Sequence, residues 1–265
     1  MASVAASLSA PRIALMLYTV RDRAAADLRD VLESCQEWGC DGVEFAGLQG
    51  HSAATVRSWL DQLRLACASM HVGLADLDSA IDRVASDAAT LGTRRVVMPW
   101  VPAPQSAAEA ADVVSRVRRA ALALRAHGIS LGYHNHDFEF TRFADGSRMW
   151  ESVLAASEIF IEPDVGWLWF AGLDPAAELG SLSGRVPLVH AKDFASREKP
   201  HRFCPTGTGA VPMEAAIRAA IAAGTEWLIA EQDQADDPML AASQCVANLR
   251  VIRDRALSRE ASPLP

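Results

Sequence analysis

The chain has 265 residues, of which half are hydrophobic and 22% charged, with a formal net charge of -8. That composition supplies core for one globular unit and excludes an intrinsically disordered chain. The acidic balance, without a lysine- or arginine-rich tract, excludes a surface built to neutralise nucleic-acid phosphates, and no run approaches the ~20 apolar residues of a membrane span.

Residues 1–10 are rich in small side chains but lack the basic start and apolar stretch of a secretory signal, so a loose tail is expected there. One domain is expected over 11–258, followed by a short tail over 259–265. Within it, short β-like runs fall at 12–18, 42–45, 71–75, 95–98, 130–136, 159–164, 186–192 and 227–231. Between them lie segments with apolar residues at three- and four-residue spacing, at 28–38, 53–68, 79–91, 106–126, 213–223 and 240–255. Asp27 and Ser106 are placed to cap helix starts, and Gly39, Gly92, Gly128 and Gly224 to end helices in a left-handed conformation.

Strands alternating with helices from end to end give the arithmetic of an α/β fold of the (β/α)8 TIM-barrel type, whose usual size is about 250 residues. An open, doubly wound nucleotide-binding sheet would need a glycine-rich first turn. The first strand here runs instead into Thr19-Val20-Arg21-Asp22. The five cysteines, Cys35, Cys40, Cys67, Cys204 and Cys245, show no metal-ribbon spacing and read as reduced core or helix residues of a cytoplasmic protein.

Side chains two apart on a strand share a face. His134 with His136, Glu162 with Asp164, and His190 with Lys192 therefore point the same way, as do Glu231 with Ile229 and Trp227; Glu44 ends the second strand similarly. In a closed barrel these groups form an ionisable ring at the carboxyl end above an apolar floor, where barrel enzymes keep their chemistry. His134, Asp164, His190 and Glu231 make a set of two imidazoles and two carboxylates able to hold one divalent ion: Mn²⁺, Co²⁺, Mg²⁺ or Zn²⁺. Four such groups left uncompensated in an apolar mouth would be costly. Single strand-end histidines such as His71 and His127 read as structural residues.

The segments LYTVRD, GCDGVEFAGLQG, YHNHDFEF, EPDVGWLWFAGLDP, GRVPLVHAKDF, TGTGAVPMEAAI and AEQDQ, in this order along nearly the whole chain, resemble the sugar phosphate isomerase/epimerase family. That family has xylose-isomerase-like barrels and includes inosose dehydratase, keto-sugar 3-epimerases and hydroxypyruvate isomerase. The resemblance implies one divalent metal held from the ends of the fifth to eighth barrel strands, usually by Glu, Asp, His and Glu. Asp164, His190 and Glu231 match by position. His134 stands where many relatives carry Glu, and His136 and Glu139 compete for that role.

An isomerase or epimerase acting on a sugar or keto-polyol through an enediolate is expected, with Glu231 as base, Lys192 as donor to the developing oxyanion or to a leaving hydroxyl, and His136 beside them. Glu44, Trp167, Arg197 and Arg21 are candidates for binding substrate. Trp167 equally suits the core, and Lys192 a salt bridge to Glu162. The loop Thr206-Gly207-Thr208-Gly209 is a weak phosphate motif that a simple turn also explains. The alternative reading is a dehydratase or lyase of the same family, because His134 in place of a carboxylate disfavours two-base epimerisation. A DNA-repair endonuclease on the same barrel is remote, since it needs more strand-end histidines and a DNA-binding surface. The expected partner is a small sugar or polyol, without nucleic acid or membrane; a homo-oligomer stays open.

Overall fold

The computed structural model describes residues 10–260, with the side chains of residues 259 and 260 left aside. The expected tails over 1–10 and 259–265 lie, apart from Ala10 and the end of the last helix, outside the described residues. Among the described residues there are nine strands: β1 (Arg12–Met16), β2 (Gly42–Phe45), β3 (Ala66–His71), β4 (Arg95–Met98), β5 (Ser130–His134), β6 (Phe160–Glu162), β7 (Leu188–Phe194), β8 (Phe203–Cys204) and β9 (Trp227–Glu231). Eight of them pair in parallel in the order β6-β5-β4-β3-β2-β1-β9-β7, and helices lie between them along the chain. The ring closes between β6 and β7 through an isolated bridge, Asp164 to His190, with Ile161 N–H donating to Arg185 O at 2.8 Å and His190 N–H to Pro163 O at 2.9 Å. This is the expected barrel. The short β8 pairs antiparallel with the end of β7 and was not foreseen.

The helices form because their apolar residues recur on one face. The helix Leu28–Glu37 buries Leu28, Val31, Leu32 and Cys35 and starts at Asp27, whose side chain accepts from Asp30 N–H. Ser106 caps the helix Ala107–Ala126 in the same way, and Gly39, Gly92, Gly128 and Gly224 all have positive φ. All five cysteines are free. Inside the barrel a second apolar cluster of Ala14, Met16, Ala68, Val97, Leu188, Trp227 and Ile229 forms the floor beneath the mouth. Val186 precedes β7 and packs in the outer core.

The third strand is a correction. The helix expected over 53–68 stops at Leu63, because Arg64 takes the left-handed conformation at φ 56°. Residues 66–71 then extend as β3, which ends at His71 instead of starting there, and Leu74–Ser79 is helical. The expected fifth and sixth strands also end early, which leaves His136 beyond β5 and Asp164 beyond β6. Among the described residues no helix is long and apolar enough to cross a membrane.

Candidate active site

Four barrel segments deliver the predicted quartet to one place: His134 ends β5, Asp164 follows β6, His190 lies within β7 and Glu231 ends β9. One potential ligand atom from each of His134, Asp164, His190 and Glu231 lies within 4.8 Å of the others, and all four residues are buried. Strand register explains the approach: His134 is level with Glu162 across β5 and β6, and Lys192 with Glu231 across β7 and β9.

Asp164 has a local reason for its aim. It caps the short helix Val165–Phe170, its Oδ1 accepting from Gly166 N–H at 2.8 Å and Trp167 N–H at 3.0 Å. Its own N–H donates to Asn135 Oδ1 at 3.1 Å. The cap consumes one oxygen and leaves Oδ2 toward Lys192 Nζ and His134 Nε2, 3.1 and 3.8 Å away. The helix can sit so close to β7 only because residue 166 is glycine, since a Cβ there would stand 2.6 Å from Lys192 O.

Charge at the site is tightly shared. His190 Nδ1 lies 2.7 Å from Glu231 Oε2, and its Nε2 lies 2.7 Å from Glu44 Oε2 and 3.2 Å from Glu162 Oε2. Burial opposes the charge on this imidazole, but Glu162, Glu44 and Glu231 outweigh it and raise its pKa well above the ordinary value. Lys192 Nζ is 3.1 Å from Asp164 Oδ2, 3.0 Å from Glu231 Oε2 and 2.9 Å from Asp233 Oδ1. Burial again opposes the charge, and the three carboxylates overcome it, so the ammonium stays protonated. For Glu231 burial works to raise the pKa, while Lys192 and His190 hold it below the carboxylate range. His134, 3% exposed, is kept neutral by burial and then by the cations around it.

Several buried polar atoms here are left without a hydrogen-bond partner, among them His136 Nδ1, Glu162 Oε1 and two atoms of the quartet. Asp164 Oδ2 lacks a well-formed hydrogen bond although Lys192 stands close, and His134 Nδ1 has none, with Glu162 Oε2 3.3 Å away. Ligand atoms held about 2.0–2.3 Å from one cation lie at most about 4–4.6 Å apart. The four ligand atoms lie close to that separation, and the mixed donor set and the orphaned oxygen fit a divalent cation.

The remaining expectations divide. His136, Trp167, Arg21 and Lys192 line a cavity of about 760 Å³ at the barrel mouth, together with His71, Glu231, Asp233 and Gln234. Trp167 is also core: it is 5% exposed and packs on Phe194 at 4.9 Å, and its ring lies 5.3 Å from Lys192 Nζ. Glu139 is not brought to the quartet, because it is fully buried and accepts from Tyr133 Oη and His136 N–H, both at 2.9 Å.

Three expectations are corrected. Glu44 does not face the cavity; it is fully buried and bonded to Ser69, His71 and His190 beneath it. Arg197 is exposed, lies over the Trp169 ring at 4.3 Å and does not line the cavity. Lys192 pairs with Asp164, Glu231 and Asp233 rather than with Glu162.

The main residue the sequence reading passed over is His71. Its Nε2 lies 2.8 Å from Glu162 Oε2 and 3.3 Å from Glu44 Oε2, and His71, His134, Glu162 and His190 form a second converging group below the first. A correct third strand would have placed it at a carboxyl end. Asp233, two residues past Glu231, and His201, brought over Trp167 by the β7–β8 hairpin at 4.9 Å, were also missed. The 206–209 loop proves to be a turn around a built-in anion: Asp193 Oδ2 accepts from Gly207 N–H at 2.8 Å and Gly209 N–H at 2.9 Å, and Oδ1 from Val211 N–H at 3.2 Å.

Several solved structures share this architecture. A sugar phosphate isomerase/epimerase from Parabacteroides distasonis superposes with a TM-score of 0.77 at 20% identity, over 92% of this chain and 96% of that one. An L-ribulose 3-epimerase gives 0.71 at 18% identity, over 96% and 100%. A probable 3-DHS dehydratase involved in petrobactin synthesis in Bacillus anthracis gives 0.71 at 14%, over 92% and 99%. At such identities the likeness is one of fold. No curated protein matches the chain in sequence. The family model described as xylose isomerase-like TIM barrel matches residues 32–252, most of the chain, and with its barrel and its strand-end residues the chain belongs to that family.

Proposed function

We propose that the chain is a divalent-metal-dependent isomerase or epimerase that acts on a sugar or keto-polyol through an enediolate. The observation that carries this reading is the convergence of His134, Asp164, His190 and Glu231 beside a protonated Lys192, next to a cavity that His134, Lys192 and Glu231 line. These four residues would hold the ion, and when bound it would supply Lewis-acid polarisation of a carbonyl and its neighbouring hydroxyl.

The chain's own groups then account for the proton movements. Glu231, which lines the cavity, takes the proton from the carbon next to the carbonyl. Lys192 Nζ, held charged by three carboxylates, donates to the oxyanion that develops as the C–H bond breaks. His190 is fixed from below, since Glu44 engages its Nε2 and leaves Nδ1 turned toward Glu231. Arg21 and His136 flank the opening and Trp167 walls it, which positions substrate and limits water.

A second reading is elimination, giving a dehydratase or lyase. It is favoured by the make-up of the wall: both carboxylates on it, Glu231 and Asp233, lie within one three-residue stretch, while the side of β3 and β5 presents His71, His134 and His136. Carboxylate bases from one side suit one-base chemistry better than proton return from the opposite face. The test is incubation with ketoses and keto-inositols in D₂O, with and without chelation and metal restoration. Deuterium entering the carbon next to the carbonyl, lost on chelation and regained with Mn²⁺ or Co²⁺, supports the reading. Full activity in metal-free protein overturns it, and a dehydrated or cleaved product makes elimination the reaction.

A further inference from the structure

The cavity has an outer, aromatic part that the proton chemistry does not use. Among the described residues, Tyr18 and Trp100 are the large aromatic side chains left exposed, at 43% and 53%, and both line this cavity. They come from separate places on the rim, Tyr18 following β1 and Trp100 following β4, with β2 and β3 between them in the sheet. After β2 the wall is Ala46 and Gly47. Gly47 has φ 84°, and a Cβ there would meet nothing nearer than Gln49 Nε2 at 4.0 Å. The stretch of wall after β2 is thus open, without a large side chain to fill it.

The same cavity is poorly equipped for a phosphate. Lys192 Nζ is engaged by three carboxylates at 2.9–3.1 Å. Arg21 Nη1 donates to Tyr18 O at 3.0 Å and Asp233 O at 2.8 Å, and its guanidinium lies 4.4 Å over the Tyr18 ring. The amides of the 206–211 loop are taken by Asp193. A net charge of -8 adds repulsion for any dianion.

We propose that the cavity takes an uncharged glycoside, with the reacting ring over Lys192 and Glu231 and a second neutral ring packed against Tyr18 and Trp100, rather than a sugar phosphate. This rests on the reading that the site acts on a sugar. The C–H faces of a pyranose pack on aromatic faces, while its hydroxyls reach the water at the rim. Stacking of that kind changes affinity by up to about tenfold.

The test is calorimetric titration of the full chain, in the presence of manganese, with fructose, fructose 6-phosphate and the keto-disaccharides isomaltulose and turanose. One of the disaccharides should bind about tenfold more tightly than fructose. Trp100→Ala should remove that advantage and leave fructose binding unchanged, and Trp100→Phe should keep most of it. Tighter binding of fructose 6-phosphate than of either disaccharide overturns the proposal, as does a disaccharide preference that survives Trp100→Ala. Deuterium incorporation measured alongside separates the two readings. A Trp100-dependent preference without incorporation keeps the outer subsite and defeats the isomerase reading, whereas incorporation into fructose without any preference does the reverse.

Discussion

The two ends of the barrel each carry a cavity, and they treat charge in opposite ways. At the amino end, Arg95 pairs with the exposed Glu226, and Arg185 donates to Leu154 O and Ala156 O, each at 2.9 Å, in a cavity of about 490 Å³. Apart from Arg185 Nε, which has no partner, its charged groups are held by backbone carbonyls or half-solvated partners. At the carboxyl end, Glu44, Glu162, Asp164 and His190 are completely buried, and Asp164 Oδ2 and His134 Nδ1 lack hydrogen-bond partners. Burying so many ionisable groups opposes folding unless they are paired or bound. The difference teaches that the carboxyl end has the donors to fit the ion proposed above, while the amino end is packing.

Substitutions at the two ends break or sharpen that contrast. The largest effect is expected for Glu231→Gln, which removes a base and a ligand charge without changing shape; turnover should fall by about 10²–10⁴-fold with the fold retained. Deuterium incorporation with a circular-dichroism melt checks both halves, and unaltered turnover would remove Glu231 from the chemistry. Next, Lys192→Ala leaves three carboxylates facing one another and should cost about 3–5 kcal/mol of stability. It should also lower kcat more than it raises KM if the ammonium acts as the reaction's oxyanion forms. Denaturant titration and steady-state kinetics measure these separately, and normal kinetics in a destabilised variant would make Lys192 purely structural.

Glu44→Gln acts one layer down. It keeps the shape but weakens the hold on His190 Nε2, so metal affinity should fall about 10–100-fold. Competitive titration against a chelating dye reads this, and unchanged affinity would show that Glu44 does not position the ligand. The smallest effect belongs to the amino end. Arg95→Ala breaks a pair whose Glu226 side chain is 54% exposed, so stability should change by no more than about 1 kcal/mol, and turnover not at all. A marked loss of activity there would erase the contrast.

The barrel was legible because the apolar periodicity changes between strand and helix and because caps at Asp27, Ser106 and the four glycines mark the boundaries. His190, Lys192 and Glu231 were legible as a group, since alternation alone puts them on one face at strand ends. His71 was not, because the small residues of 66–69 extend a helical pattern, and the residue that stops the helix is an arginine in a conformation usually marked by glycine. The place of Glu44 beneath His190 depends on which strands are neighbours and how deep each ends. Likewise Asp233 and His201 reach the cavity through segments beyond the strand ends, which carry no periodicity to read.

The closure between β6 and β7 has a mechanical side. That junction is held by an isolated bridge, whereas the other neighbouring barrel strands share paired residues along their length. Asp164 and His190, two of the four converging residues, are the very residues of that bridge. An ion gripped by both would act as a clasp on the weakest join of the ring, so the groups that prepare the site for chemistry would also govern how readily the barrel breathes open along one line.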